Sequence, residues 1–308
     1  MVRQYGDRFG IIHTVFTIES GAGAVSLRRL LERSSDRHKR CRSLKRTEYG
    51  TVLTQEHLTE EILSMWLQVT FAGEVKAGQF ISLFCADGSR LLPRPISICD
   101  ADPEGGRIRL VYRTAGEGTR EFAALSAGGR IRVMGPLGNG FPLDAARGRK
   151  VLFVGGGIGI PPMVLLAKKL RTLSGPDAPA AMTHAVGYRS KDMYLLRELE
   201  ESAETIVSTD DGSYGVHGTV LDAIRSEGIS ADVIYACGPK VMLRALKEYA
   251  AEQNIRCFVS MEERMACGIG VCLGCVTGMT CVNAHYGVKN ARVCADGPVF
   301  DAREVDLT

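Results

Sequence analysis

A group of cysteines late in the sequence has the spacing of a metal-binding loop. Cys267, Cys272 and Cys275 follow the pattern C-x4-C-x2-C. That pattern is typical of plant-type [2Fe–2S] proteins, in which a fourth cysteine comes from farther along the chain. Zinc is the alternative, but zinc modules usually present paired short cysteine knuckles. The spacing therefore favours a [2Fe–2S] cluster.

Glycines interleave with these cysteines at Gly268, Gly270 and Gly274. A short loop has to wrap closely around a compact anionic cluster, so we expect these glycines to take positive φ. Their N–H groups would then point at the sulfurs and tune the reduction potential.

Two cysteines, Cys281 and Cys294, are candidates for the fourth ligand. Cys294 follows the strand-like stretch Ala291–Val293 and precedes the turn Asp296-Gly297-Pro298, which would hold it in place. Cys281 lies in a stretch without such signals. We favour Cys294 and keep Cys281 as the alternative.

Stretches earlier in the chain carry side chains that suit a flavin nucleotide. Arg94-Pro95-Ile96-Ser97 offers a cation to a pyrophosphate and a hydroxyl to the edge of a flavin ring. Val111-Tyr112-Arg113 adds an aromatic ring and a second cation, and Gly116–Thr119 opens a helix whose N-terminus can accept phosphate. The alternative is an edge strand whose arginine pairs with a surface carboxylate. The combination favours a flavin site.

A glycine-rich loop, Gly155–Gly159, follows the apolar stretch Lys150–Val154 and precedes a helix that begins near Pro161. Such a loop offers N–H groups and a helix N-terminus to phosphate. The fingerprint G-x-G-x-x-G is not met, since Ile160 stands at the third glycine position. The loop therefore indicates either an exchanging nicotinamide nucleotide or a turn that only lets the helix pack closely on the sheet.

The elements that must position these residues divide the chain into four parts. Short strands rich in β-branched and aromatic residues run from Glu48 to Val133 and predict a small antiparallel barrel of about six strands. A Gly/Pro-rich join, Gly135–Pro142, follows, and then strands and helices alternate, which predicts a parallel sheet with helices on both faces. The expected domains are a basic disordered extension at 1–44, an FAD-binding barrel at 45–145, an NAD-binding-like α/β domain at 146–258 and a cluster segment at 259–308.

The distribution of charge, the length of the apolar runs and the cysteine content limit the classes of function that this protein can have. Residues 1–46 hold 11 Lys/Arg against 4 Asp/Glu, and the remainder holds 27 against 31. No aromatic residues interleave with the Arg-rich part of the leader, so we expect a solvated tail and no nucleic-acid partner. No apolar run is long enough for a membrane span, and we expect no membrane partner. Ten cysteines without a secretory signal predict a reducing, cytoplasmic location in which clustered cysteines bind metal.

From about Lys45 onward the sequence resembles the ferredoxin–NADP reductase superfamily and, within it, the electron-transfer subunits of class 1B dihydroorotate dehydrogenase. The matching motifs include the stretches described above, in the family's order. They also include Thr209-Asp210-Asp211-Gly212-Ser213, Cys237-Gly238-Pro239, Met261-Glu262-Glu263-Arg264-Met265 and Arg292-Val293-Cys294-Ala295-Asp296-Gly297-Pro298. The resemblance implies a ferredoxin reductase-like fold, an antiparallel FAD-binding barrel beside a parallel-sheet nucleotide-binding domain, with a small C-terminal [2Fe–2S] module.

The resemblance also implies roles for individual residues. Those expected to contact FAD are Arg94, Pro95, Ile96, Ser97, Val111, Tyr112, Arg113, Gly118 and Thr119. Those expected to line the nicotinamide approach are Gly155–Gly159, with Gly156, Gly157 and Gly159 foremost, Asp211–Ser213 and Cys237–Pro239. Those expected to ligate the cluster are Cys267, Cys272, Cys275 and Cys294.

The implied function is electron transfer in pyrimidine (UMP) biosynthesis. Electrons from dihydroorotate would pass from the FMN of a catalytic partner through the [2Fe–2S] cluster and FAD to NAD⁺, which exchanges as a co-substrate, in a heterotetramer of two copies of each subunit. No acid or base catalyst is expected in this chain. The alternative is the FAD subunit of a ferredoxin–NADP oxidoreductase or sulfide dehydrogenase complex. Those subunits tend to carry Asp at the first ligand position, where this sequence has Cys267.

Overall fold

The structure of the protein is a computed structural model, which describes residues 4–6, 12–14, 45–282 and 287–308. The chain divides into two units, 1–44 and 45–308. In the first unit, strands β1 (Gln4–Gly6) and β2 (Ile12–Thr14) pair antiparallel, with Gln4 opposite Thr14. The remainder of the predicted basic extension lies outside the described residues.

The second unit begins with a closed antiparallel barrel. Its strands are β3 (Arg46–His57), β4 (Ile62–Gln68), β5 (Phe80–Phe84), β6 (Arg94–Asp102), β7 (Arg107–Arg113) and β8 (Arg130–Leu137), joined in the order β3-β4-β7-β6-β5-β8. Along β7, Ile108, Leu110 and Tyr112 are buried while the two end arginines are exposed, which is the alternation of a barrel strand. Helix α1 (Glu117–Ala123) lies between β7 and β8. The predicted antiparallel barrel is confirmed.

Strand β8 continues beyond the stretch predicted as strand. The sequence indicates a join from Gly135, but the strand runs to Leu137, which pairs with Phe80 of β5. A side chain at Gly135 would place its Cβ 2.6 Å from Cγ2 of Ile81. The glycine that resembles a linker residue is therefore required by crowding inside the barrel.

An α/β domain follows the barrel. Its strands are β9 (Lys150–Gly156), β10 (Ala181–Tyr188), β11 (Glu204–Thr209), β12 (Val216–His217), β13 (Val233–Cys237) and β14 (Arg256–Ser260). Its helices are α2 (Pro161–Arg171), α3 (Leu196–Ser202), α4 (Val220–Ser226) and α5 (Lys240–Glu252), and short 3-10 turns lie at Ala72–Glu74, Leu143–Ala146, Gly157–Gly159 and Gly175–Asp177. These six strands pair in parallel, which confirms the predicted parallel sheet, and their order is β12-β11-β10-β9-β13-β14. Strands β9 and β13 are almost wholly buried because helices cover both faces.

The cluster segment returns to this sheet. Strands β15 (Val276–Gly278) and β16 (Asn290–Arg292) form a hairpin, and β17 (Val299–Asp301) pairs antiparallel with β14, with Phe300 opposite Val259. This antiparallel edge strand was not predicted, since three residues carry no recognisable period. Both ends of the cluster segment are thus anchored in one sheet.

Two ion pairs join the barrel to the α/β domain. Nη1 of Arg109 on β7 donates to Oε2 of Glu198 on α3 at 2.7 Å, while its Nε donates to Ser64 Oγ at 2.8 Å. Nζ of Lys168 on α2 lies 2.8 Å from Oδ1 of Asp100 on β6. Because only 11% of the Arg109 side chain is exposed, its pair with Glu198 is less screened than a surface pair. These contacts fix the angle between the two domains.

None of the helices that the structure describes has the length and apolar character needed for a membrane crossing.

The turn between β9 and α2 packs directly against the end of β13. An ideal Cβ at Gly159 would lie 2.3 Å from the carbonyl oxygen of Cys237 and 2.5 Å from the nitrogen of Gly238. Backbone atoms cannot rotate away from such a contact.

We expect Gly159→Ala to lower the free energy of unfolding by about 2 kcal/mol or more, since overpacking against fixed atoms commonly has that cost. Gly73→Ala is the matched control, because a Cβ there meets no atom within 4 Å and its φ is not positive; its change should stay within about 0.5 kcal/mol. Urea unfolding followed by circular dichroism measures both. Equal midpoints for the two variants would contradict the close approach.

Candidate functional site

A pocket of about 250 Å³ opens where the barrel, the α/β domain and the cluster segment meet. The barrel wall is formed by Pro95, Ile96 and Ser97 of β6 and by Val111, Tyr112 and Arg113 of β7. All six were predicted as flavin contacts from the sequence. They converge because β6 and β7 are adjacent antiparallel strands of the barrel.

The opposite wall comes from elements far away in sequence. It includes Ile158 from the glycine loop, Ser260 at the end of β14, Glu262 just beyond it, and Pro298 from the turn before β17. The pocket therefore exists only when all three parts of the second unit are folded together.

Glu262 was given no role by the sequence reasoning, although its motif was noted. It lines the pocket as a solvent-accessible residue, and partial desolvation by the surrounding protein raises the pKa of its carboxyl while Arg113 opposes the change. The sequence signal that could have identified Glu262 is its position just after a predicted strand, because ligands of α/β sheets bind beyond the carboxyl ends of strands.

Arg94, the first residue of β6, lies in an adjoining groove, and its guanidinium packs against the first turn of α1. An ideal Cβ at Gly118 would lie 2.6 Å from Arg94 Nε and 2.8 Å from its Nη2, so the guanidinium occupies the space that a side chain there would fill. Thr119 is next to it, and its hydroxyl accepts from the N–H of Gly116 at 3.1 Å. A cation beside a helix N-terminus attracts an anion, and the predicted roles of Arg94, Gly118 and Thr119 stay predictions.

The glycine loop has two kinds of glycine. Gly159 is required by the packing described above, and a Cβ at Gly156 would lie 2.6 Å from Sδ of Met242. Gly157 differs, because it has φ of 52° and a Cβ there would meet no atom within 4 Å. Packing therefore accounts for Gly156 and Gly159, whereas Gly157 is open to a ligand; the nicotinamide role of all three stays a prediction.

The four predicted cluster ligands are surrounded by backbone N–H groups. Each sulfur accepts at least one: Cys267 from Ile269 (3.5 Å), Val271 (3.3 Å) and Cys272 (3.4 Å), Cys272 from Gly274 (3.4 Å), Cys275 from Cys294 (3.4 Å), and Cys294 from Gly270 (3.1 Å). Such donors stabilise thiolates and the metal clusters that thiolates bind.

The thiols respond differently to these surroundings. Burial raises the pKa of Cys267, but hydrogen bonds led by the N–H of Cys272 outweigh it and bring the value to about 6. Burial and the adjacent Cys275 raise the pKa of Cys294 to about 12. Metal binding needs deprotonated ligands, so a bound cation would have to offset the raised pKa of Cys294.

The arrangement fits a two-iron centre. Backbone hydrogen bonds link the four cysteines in two pairs: the N–H of Cys272 donates to Sγ of Cys267, and the N–H of Cys294 donates to Sγ of Cys275, each at 3.4 Å. A [2Fe–2S] cluster takes two protein ligands on each iron, whereas zinc needs all four around one ion. The paired geometry suits the cluster.

One expectation about the loop was wrong. Gly268 and Gly270 have positive φ, at 67° and 82°, as expected, but Gly274 does not. The left-handed residue in the second turn is Leu273, at 60°. The tight turn that brings Cys272 near Cys275 needs this conformation one residue earlier, and a non-glycine residue there costs about 1–2 kcal/mol.

The two candidates for the fourth ligand are placed differently. Cys294 is buried, and its Sγ accepts from the N–H of Gly270 in the cluster loop. Cys281 is exposed on the hairpin beyond β15. This placement supports Cys294, which remains a prediction.

Two family models match the chain. Residues 262–306 match the iron–sulfur cluster binding domain of dihydroorotate dehydrogenase B, and residues 153–248 match an oxidoreductase NAD-binding domain.

Curated relatives cover most of the chain. The electron transfer subunit of dihydroorotate dehydrogenase B (NAD(+)) from Geobacillus sp. (strain WCH70) is 41% identical over 264 residues, spanning 84% of this chain and 98% of the relative. The subunit of that name from Streptococcus mutans is 39% identical over 259 residues, spanning 83% and 97%.

Solved structures share the fold. The NADH-dependent reduced ferredoxin–NADP oxidoreductase, studied for flavin-based electron bifurcation, superposes with a TM-score of 0.73 at 28% identity, over 84% of this chain and 90% of that one. A ferredoxin NADP⁺ reductase from Neisseria gonorrhoeae with bound FAD and NADP has a TM-score of 0.56 at 16% identity, over 67% and 91%. Both neighbours confirm the predicted fold. The family models and the first of these neighbours confirm the predicted cofactor set of FAD, a [2Fe–2S] cluster and NAD.

We expect Cys294→Ser to lose iron on desalting, because it removes a buried ligand, whereas Cys281→Ser keeps the two irons of a [2Fe–2S] cluster. Iron quantification and visible absorption of the purified chains measure this. If Cys281→Ser loses iron while Cys294→Ser retains it, the ligand assignment is reversed.

We expect Gly118→Ala to weaken FAD retention at least tenfold, because the new methyl group displaces the Arg94 guanidinium, and a charge-assisted hydrogen bond contributes about 1.5–3 kcal/mol. Gly116→Ala is the matched control, since a Cβ there meets no atom within 4 Å. Fluorescence titration of the flavin-free chain gives both dissociation constants. Equal FAD dissociation constants for the two variants would show that Arg94 does not contribute to FAD binding.

Proposed function

Because this chain belongs to the family of dihydroorotate dehydrogenase B electron transfer subunits, we propose that it carries electrons from the FMN of a catalytic partner, through a [2Fe–2S] cluster and FAD, to NAD⁺. FAD supplies the conversion between one-electron and two-electron transfer. The pathway served is pyrimidine biosynthesis, and the oxidation of dihydroorotate belongs to the partner. We propose a cytoplasmic heterotetramer with two copies of each subunit.

The observation that carries this proposal is the continuity between pocket and cluster loop. Met261, Glu262 and Met265 line the pocket, and Cys267 begins the ligand loop two residues later. One short segment thus forms a wall of the flavin pocket and the start of the cluster site. This proximity suits transfer of electrons between the two cofactors.

We assign roles to the residues of the pocket on the same basis. Pro95–Ser97 and Val111–Arg113 hold the flavin ring against the barrel, and Arg94 holds the pyrophosphate at the start of α1. Ile158 and the open Gly157 lie on the side from which the nicotinamide approaches. Cys267, Cys272, Cys275 and Cys294 ligate the cluster. Glu262 lies beside the flavin on the opposite wall, where desolvation raises the pKa of its carboxyl and Arg113 opposes that change.

The partner is proposed to dock over the cluster loop. Val271 is 75% exposed and Leu273 62%, and Ile269 and Val276 are also exposed on the same loop. Leu91, 82% exposed, borders the groove that reaches Met265. Apolar side chains gathered around one site mark an interaction surface, and here they surround Cys272, the exposed ligand. A catalytic subunit seated there would place its FMN next to the cluster.

A second candidate is the flavin subunit of a ferredoxin–NADP oxidoreductase. The TM-score of 0.73 to such a structure favours it, but the identity is 28% compared with 41% for the dihydroorotate dehydrogenase relative. The thiol at Cys267, with its three N–H donors, supports the first assignment.

The test uses the full chain, loaded with iron and FAD, with and without the FMN-containing catalytic subunit. We expect NADH to bleach the flavin of the chain alone, and dihydroorotate to produce NADH only when the partner is present. Cys272→Ser should abolish dihydroorotate-dependent NADH formation while leaving NADH-dependent ferricyanide reduction near the wild-type rate, because the exposed Cys272 contributes to the cluster and not to the flavin pocket.

The contrary outcomes separate the candidates. NADPH formation from reduced ferredoxin, with no response to dihydroorotate and its subunit, would support the second candidate. A colourless chain that binds zinc would exclude both.

A further inference from the structure

Arg292 occupies a constrained position at the end of β16, two residues before Cys294. Its Nε donates to Oδ2 of Asp296 at 2.9 Å and its Nη2 to Oδ1 at 2.9 Å, while its backbone N–H donates to Oδ2 at 2.8 Å. Only 21% of the side chain is exposed. The two-point pair leaves the guanidinium little freedom to rotate.

The remaining edge of this guanidinium contacts the cluster loop. Nη1 of Arg292 donates to the carbonyl oxygen of Gly270 at 2.9 Å. That carbonyl belongs to the same peptide group as the N–H of Val271, which donates to Sγ of Cys267 at 3.3 Å. A planar peptide transmits the orientation of its carbonyl to its N–H. Arg292 therefore aims the Val271 N–H at a sulfur of the first ligand pair.

A second N–H donor lies beside this contact. The N–H of Gly270 donates to Sγ of Cys294 at 3.1 Å, in the other ligand pair. Gly270 can take this position because its φ is 82°, and a Cβ there would lie 2.8 Å from Cβ of Ala295 and 3.0 Å from Nη1 of Arg292. Arg292 thus orients the Val271 N–H toward one ligand pair, and its guanidinium lies next to the glycine whose own N–H donates to the other pair.

Both effects of this arrangement favour the reduced form of a cluster. A hydrogen bond to the carbonyl polarises the peptide and strengthens the N–H dipole directed at sulfur. The guanidinium also brings a permanent positive charge close to a centre that becomes more negative when it accepts an electron. Hydrogen bonds to the sulfurs and net charge are among the factors that set iron–sulfur potentials.

We propose that Arg292, held by Asp296, is a positioning residue that raises the reduction potential of the [2Fe–2S] cluster by orienting the Val271 N–H toward Cys267 and by holding its positive charge beside the Gly270 N–H that donates to Cys294. This inference rests on the proposed cluster. It assigns Arg292 a role in how readily the cluster accepts an electron from the partner, beyond holding a turn. Lysine cannot replace it fully, because one ammonium group cannot reproduce the planar fork that bridges Asp296 and Gly270.

The test is an EPR-monitored redox titration of the full chain, loaded with FAD and iron, as wild type, Arg292→Gln, Arg292→Lys and Arg303→Gln. Arg303 is the matched control, since it makes the same two-point pair with Asp301, at 2.9 and 2.6 Å. We expect Arg292→Gln to lower the ratio of reduced to oxidised cluster about tenfold at a fixed potential, a shift of about 59 mV to more negative values. Its EPR g values should change, Arg292→Lys should shift less, and Arg303→Gln should match wild type.

The iron content distinguishes the possible failures. Wild-type chain without a [2Fe–2S] signal would overturn the proposed function and this inference together. A wild-type signal with an unchanged potential in Arg292→Gln, or an equal shift in Arg303→Gln, would overturn this inference alone. If Arg292→Gln does not assemble the cluster, Arg292→Lys decides: a negative shift supports the role and an unchanged potential refutes it. NADH reduction of the flavin should be equal in all four chains.

Discussion

The side-chain amide of Asn139 joins the end of the barrel to the cluster segment. Its Nδ2 donates to the carbonyl oxygens of Asp296 and Val299 at 3.1 and 2.8 Å, and its Oδ1 accepts from the N–H of Val299 at 2.9 Å. Its own backbone N–H donates to Gly297 at 2.7 Å. Asn139 follows the last barrel strand, and the turn it binds lies between Cys294 and strand β17. The pocket wall, the fourth proposed ligand and the sheet edge therefore all depend on this one junction.

The close fit at the junction explains why small residues meet there. A Cβ at Gly138, where φ is 73°, would lie 2.5 Å from Cδ of Pro298 and 2.9 Å from the carbonyl oxygen of Gly297. The barrel end and the turn approach until their backbones touch. Both glycine–proline stretches are visible in the sequence, but their contact is not. They are separated by about half of the chain, and a contact over that separation leaves no local sequence pattern.

The fold was predictable where periodicity was strong. Short stretches rich in β-branched and aromatic residues indicated the barrel, and the alternation of strand-like and helix-length segments after it indicated the parallel sheet. Strand β17 and the last residues of β8 were missed for different reasons. Three residues cannot establish a period, and Gly135 has the appearance of a linker although crowding by Ile81 requires it. In both places a tertiary contact outweighs the local preference.

The site was predictable in its chemistry and less so in its geometry. The cysteine spacing and the Arg94 and Val111 stretches identified the residues that the structure brings together, since those residue types are tied to specific ligands. Leu273 and Gly274 show the limit, because the left-handed turn falls on leucine where composition favoured glycine. Glu262, Arg292 and Asn139 act through partners distant in sequence, and spacing alone assigns them no such role.

Strand β17 also sets the order in which the site can be assembled. During synthesis the barrel and the strands through β14 emerge before it, and domains generally begin to fold in that order. Cys267, Cys272 and Cys275 follow β14 and emerge before Cys294, while one edge of β14 is still uncovered. An uncovered edge strand beside three unliganded thiols is exposed to misassociation and oxidation. The cluster site is therefore complete only after Cys294 and β17 have joined the fold, and the interval before that is when the thiols and the sheet edge most need protection.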